Sequence, residues 1–191
     1  MPNIATIGFF DGVHRGHRFL FAQLNELAHE RDLVSLIVTF DTHPRVVLTG
    51  VAPTMLTTFM ERRLLLEVHA HVRVVSFSQV QRLTAEQFMY YLRDEEDVEV
   101  LLMGYDHRFG SDQLKGFFEY ERVARKVGLQ VERAHECLVD NLPVSSTRIR
   151  KLLCEGHIEQ VNRLLGYSYS LTGVVEHGNG IGAQIGFPTA N

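Results

Sequence analysis

The chain lacks the signatures of most familiar active-site chemistries. It has no GxxxxGK[ST] loop and no GxGxxG after its first apolar run, which excludes a Walker-type kinase and a dinucleotide dehydrogenase. It has no GxSxG elbow, no HExxH pair and no cysteine in a nucleophile context. Cysteine is scarce: Cys137 and Cys154 form no CxxC pair, and two lone thiols fit a reduced, cytoplasmic setting. An excess of basic residues is also missing. With 19 Lys and Arg against 23 Asp and Glu the net charge is −4, which argues against a broad nucleic-acid surface. A few local arginines could still hold an anionic small ligand. The N-terminal apolar run has no basic n-region and breaks at Asp11, so it reads as neither a secretory signal nor a membrane span.

What is present is an alternation of strand-like and helix-like segments over 191 residues, enough for one α/β domain and the start of another. "NIATIGF" (3–9) is short and apolar. "GHRFLFAQLNELAHE" then predicts a helix burying Phe19, Leu20, Leu24 and Leu27 on one face. "LVSLIVTF" (33–40) has the continuous apolar character of a strand buried on both faces. A helix over 58–70 and a strand over 72–77 follow. Thr84 and Gln87 have the spacing of a capping box, predicting a helix start. "VEVLLMG" (98–104) and "VGLQVER" supply two further strands. The pattern predicts a parallel sheet covered by helices, with ligands beyond the carboxyl ends of its strands. Past Leu165 the chain becomes rich in Gly, Tyr and Thr and loses helical periodicity, so 1–165 reads as one domain and 166–191 as strands and turns of a second.

Four stretches stand at strand or helix ends where chemistry is expected. In "GFFDGVHRGH", His14 and His17 lie three apart at a helix start and point the same way, while Gly16 leaves room for a ligand. The free N–H groups of such a helix end attract anions, and two imidazoles beside it can donate hydrogen bonds to phosphate oxygens. A turn with two surface histidines, or a metal pair, would use the same residues. In "VSSTRIRKLLCEG", Ser145, Ser146 and Thr147 precede an apolar helical pattern stopped by Gly156. Arg148 and Arg150 in its first turn oppose the helix dipole and call for a nearby anion. "GYDHRFG" offers Asp106, Arg108 and Phe109 after a strand, and "TFDTHPR" places His43 after another, with Pro44 ending that strand.

"TIGFFDGVHRGH", "TFDTHPR", "GYDHRFG" and "SSTRIR", in that order, resemble the bacterial bifunctional riboflavin kinase/FAD synthetase family. The resemblance implies a Rossmann-like HxGH nucleotidyltransferase with a parallel sheet, followed by the start of a small β-barrel domain. It implies transfer of AMP from ATP to FMN, giving FAD and pyrophosphate, with Mg²⁺ bridging phosphates. His14, His17 and Arg150 would then be catalytic. Gly8, Phe9, Phe10, Asp11, Gly16, Ser146 and Thr147 would hold ATP, and His43, Asp106, Arg108 and Phe109 would hold FMN. The tail "GVVEHGNGIGAQIGFPTAN" is similar to the opening of the family's kinase domain, which would place Thr189 and Asn191 at a magnesium site there. The family has phenylalanine where His107 stands, and a different loop where "SDQLKG" (111–116) stands, so the flavin side is expected to depart from it. A nucleotidyltransferase for a pantetheine or nicotinamide nucleotide, and a non-catalytic flavin-binding module, share the HxGH pattern.

Overall fold

The apolar runs become the strands of one sheet. β1 (Asn3–Ile7), β2 (Val34–Phe40), β3 (His71–Val75), β4 (Val98–Met103) and β5 (Gln130–Arg133) are all parallel, in the order β3-β2-β1-β4-β5. The structure, a computed structural model, describes residues 1–174, 176, 178 and 181–186. The helices are α1 (Arg15–Arg31), α2 (Pro44–Thr49), α3 (Phe59–Glu67), α4 (Phe77–Val80), α5 (Ala85–Glu96) and α6 (Phe117–Val127). A hairpin of β6 (Leu138–Val139) and β7 (Leu142–Pro143) leads into α7 (Ser146–Cys154), α8 (Ile158–Leu165) and α9 (Ile181–Gln184).

Alternate strand residues face opposite layers, as the two-residue period requires. Ala5, Ile7, Leu36, Val38, Leu101 and Met103 pack beneath α5 and α6, while Ile4, Ile37, Val100 and Leu102 pack beneath α1 and α3. Each fully buried Ile, Leu, Val or Met among them contributes about 1.5–3 kcal/mol. Thr6, also buried, keeps its hydroxyl satisfied by donating to Leu102 O at 2.9 Å. The capping box at the start of α5 forms as its spacing predicts: Thr84 Oγ1 accepts from Gln87 N–H, and Gln87 Oε1 accepts from Thr84 N–H.

Two expectations change. The buried face of α1 is Phe21, Leu24 and Ala28, with Leu20 and Leu27 half-buried, whereas Phe19 is 40% exposed. Phe21 claims the core by meeting the Phe10 ring edge-on at 5.1 Å, and that rotates Phe19 outward. The strands expected in 166–191 are not found among the described residues, where the one regular element is the four-residue α9. Strands are stable only where neighbouring strands pair with them, and the described residues past 165 meet none.

After β1 the chain moves by way of α1 to β2 on one side, then returns to place β4 on the other side of β1. The carboxyl ends of β1 and β4 therefore flank the point where the strand order reverses, where a crevice opens in sheets of this class.

Candidate active site

A cleft of about 630 Å³ occupies that crevice, in the size range of small-molecule sites. Its walls come from the turn after β1, the loop after β4, the start of α2 and the start of α7.

The turn after β1 is strained. Phe10 (φ 56°), Gly12 (φ 74°) and Val13 (φ 34°) all have left-handed backbones, and for the two non-glycine residues this costs on the order of 1–3 kcal/mol each. External bonds hold the turn in place. Gly12 N–H donates to Thr57 Oγ1 at 3.1 Å, Ser146 Oγ donates to Asp11 O at 2.9 Å, and Tyr167 OH donates to Gly12 O at 2.7 Å. The Asp11 carboxylate is buried and accepts from Leu56 N–H, Thr57 N–H, Thr57 Oγ1 and Arg150 Nη2, the last at 2.9 Å. Gly8 is needed because a Cβ there would lie 2.6 Å from the Phe10 ring.

The turn delivers His14 as the N-cap of α1. Its Nδ1 accepts the His17 N–H at 3.4 Å, so the proton of a neutral His14 ring sits on Nε2. The His17 ring stacks on it with centroids 3.5 Å apart and planes 20° apart, and the Phe10 edge closes the other side. Burial lowers His14 to about 4 and His17 well below the usual histidine value, so both rings are neutral at pH 7. Neutral imidazoles offer N–H donors that do not titrate near neutrality. Gly16 lines the cleft, and a Cβ there would also sit 3.2 Å from His14 Cε1 and Nδ1, so its bareness makes room for the His14 ring as well.

At the start of α7, Ser145 caps by accepting Arg148 N–H, and Ser146 and Thr147 line the cleft. The anion that Arg150 calls for is the protein's own Asp11. Asp11, expected to contact ATP, turns its carboxylate away into this network and organises Arg150. Arg148 is exposed.

The residues expected at the flavin divide. His43 caps α2 through Nδ1, meets the Phe9 ring at 4.6 Å and lines the cleft, as does Asp106. Arg108 instead lines a second cavity of about 250 Å³ with His107, Phe117 and Arg133, which shares Gly104, Tyr105 and Asp106 with the main cleft. Phe109 belongs to neither. Its ring packs against Phe88 and Tyr120 in the core, and its backbone N–H and C=O are both bonded to Tyr120 OH, so it supports the loop from below. Thr189 and Asn191 lie outside the described residues.

Three residues that sequence reasoning missed complete the frame. Besides Thr57 and Tyr167, Arg62 is buried beneath the cleft with its guanidinium 3.7 Å over the Phe9 ring, donating to Phe40 O. Burial lowers it only to about 10, so it stays charged. Among the described residues no three carboxylate, imidazole or thiol side chains converge as a metal cage. No helix among the described residues is long and apolar enough to cross a membrane.

The FAD synthetase family model matches residues 1–148, and the riboflavin kinase model matches residues 165–191. The bifunctional riboflavin kinase/FMN adenylyltransferase of Listeria monocytogenes is 33% identical over 98% of this chain and 61% of its own length. Its counterparts in Escherichia coli K12 and Pseudomonas fluorescens are 34% and 36% identical, each over 98% of this chain and 62% of their own. The chain therefore spans about three fifths of the length of the curated relatives it matches. A solved structure named as a macrolide-efflux protein from Streptococcus pneumoniae superposes with a TM-score of 0.85 at 28% identity, covering all of this chain and 64% of that one.

Proposed function

Since the chain belongs to the FAD synthetase family, we propose that it transfers the adenylyl group of MgATP to the phosphate of FMN, giving FAD and pyrophosphate. The observation that carries this reading is the pair of neutral, stacked imidazoles of His14 and His17 at the N-terminus of α1, facing a cleft that the start of α7 also lines. An FMN phosphate oxygen attacks the α-phosphorus of ATP. The bond from that phosphorus to the bridging oxygen breaks, and pyrophosphate leaves with the electron pair. FMN phosphate has a second pKa near 6 and is already an anion at pH 7, so the step needs no general base. Catalysis then rests on positioning and on stabilising charge at the phosphates.

In this reading the His14 Nε2–H, the His17 ring and the free N–H groups of α1 hold the triphosphate from one side. Ser146, Thr147 and Arg150, held at its angle by Asp11, grip it from the other. The flavin lies against cleft residues His43, Tyr105 and Asp106, with the Arg108 cavity adjoining the Tyr105 and Asp106 side. Residues 1–165 form the adenylyltransferase unit and 166–191 open the kinase unit. The two free thiols fit a cytoplasmic enzyme.

The test is FAD formation from FMN, ATP and Mg²⁺ beside a His17→Ala variant. Loss of one transition-state donor is expected to lower kcat roughly 10²–10³-fold. A folded wild type that binds ATP yet makes no FAD would overturn the flavin assignment.

A further inference from the structure

Residues 165–191 match the riboflavin kinase model, which puts Tyr167 on the kinase side of the chain. Its side chain nonetheless reaches back 155 positions to the turn that carries His14. Tyr167 OH donates to Gly12 O at 2.7 Å, the Arg18 guanidinium lies 5.1 Å over its ring, and the half-buried ring packs on the α7–α8 cluster. Gly166 just before it is pressed against Arg15, whose Cγ would lie 3.0 Å from an added Cβ. Arg15 and Arg18 flank His17 on α1, so the segment grips the same helix turn that presents the imidazoles.

The bond to Gly12 matters because of what the turn costs. Phe10 and Val13, on either side of Asp11 and Gly12, stand in left-handed conformations that their side chains disfavour. Such a turn persists only when its surroundings over-determine it. Thr57 holds the Gly12 N–H and Tyr167 holds the Gly12 carbonyl, which fixes both faces of that residue's peptide neighbourhood two positions before His14. Burial pushes the Tyr167 hydroxyl up to about 12, so it is protonated at every working pH and remains a donor.

We propose that Tyr167 is a positioning residue of the adenylyl-transfer site: through the Gly12 carbonyl it sets the placement of His14, so that the first residues of the kinase segment complete the site of the preceding unit. This rests on the adenylyltransferase reading above. It touches no substrate in that role and acts through the backbone.

The experiment measures FAD formation and thermal melting for the wild type, Tyr167→Phe and Tyr169→Phe. Tyr169 lies in the same segment and packs on the same cluster, but its side chain has no bond to the turn. Tyr167→Phe keeps the ring and removes the one hydroxyl. The expected result is a kcat roughly five- to tenfold lower, the worth of one net hydrogen bond. The KM for ATP should stay within about twofold and the melting temperature close to wild type, since the remaining phosphate contacts and packing are intact. Tyr169→Phe should match the wild type. Unchanged kcat in Tyr167→Phe would overturn the inference, and so would an equal loss in both variants, which would make the segment merely structural. A wild type that makes no FAD would overturn the adenylyltransferase reading and this inference with it, an outcome distinct from the other two.

Discussion

His14, His17 and His107 share one physical condition: each ring is desolvated, His14 as a buried residue and the other two as half-buried ones, without a negative partner strong enough to keep its proton. His14 and His107 are lowered to about 4 by burial, and His17 is lowered well below the ordinary value. The sign for stability follows. Above about pH 6.5 these histidines are neutral in both folded and unfolded chains and cost nothing. As pH falls from about 6.5 towards 4, the unfolded chain binds protons that the native state refuses, so stability is lost across that window. His107 isolates the effect, because it lies away from the stacked pair and its Nε2 is buried with no partner. His107→Phe removes both the unpaired nitrogen and the proton-binding site of the unfolded state. Urea unfolding should show the variant gaining about 2 kcal/mol more over wild type at pH 5 than at pH 7. An equal difference at both pH values would mean that His107 is not held neutral by burial.

The start of α1 asks one residue to do two jobs, and substitution can separate them. His14 caps the helix through Nδ1 and, in the proposed reaction, offers Nε2–H to phosphate. Asparagine is among the best N-caps but is too short to place a donor where Nε2 stands. His14→Asn should therefore keep unfolding free energy within about 1 kcal/mol of wild type while kcat for FAD falls roughly 10²-fold or more. A parallel loss of stability and turnover would mean that the cap dominates. At this scale the sequence was informative where signals are local. The Thr84–Gln87 box, the strands of the sheet and the Gly156 stop all follow from residues within a few positions of each other. The Thr58–Glu61 capping box of α3 carried the same signal and went unread, as did Asp140–Asn141, whose left-handed backbones (φ 56° and 60°) close the β6–β7 hairpin. Other features had no local signal to read. Asp11 meets Arg150 across 139 positions and Arg62 bonds Phe40 across 22, so only folding reveals that the anion needed by Arg150 is internal. Phe109 was misplaced for a related reason: a phenylalanine in a glycine-flanked loop looks available, and only packing against Phe88 and Tyr120 shows it committed.

Across the whole molecule the cleft joins two bodies of unequal strength. The sheet carries two clusters that sandwich β1, β2 and β4, with residues such as Ile4, Ala5, Ile37 and Leu101 wholly buried. Helices α7 and α8 rest on a smaller cluster of Leu56, Val139, Ile149, Val161, Leu164 and Leu165. They are tied to the β1 turn chiefly by polar bonds: Arg150 to Asp11, Ser146 to Asp11 O, and Tyr167 to Gly12 O. Less apolar burial and more polar tethering mean a lower free energy of local opening. Native-state hydrogen exchange should therefore show the amides of α7 and α8 opening before those of β1 and β4. If MgATP bridges the starts of α1 and α7 as proposed, at about 100 times its Kd it would stabilise their docked arrangement by about 2.7 kcal/mol. Protection should rise by that order in α7 and α8, and less in α5 and α6, which pack on the sheet face away from α1 and contribute no wall to the main cleft. Uniform protection across all helices would indicate that the nucleotide stabilises the fold globally, and that α7 and α8 are not a separately opening unit.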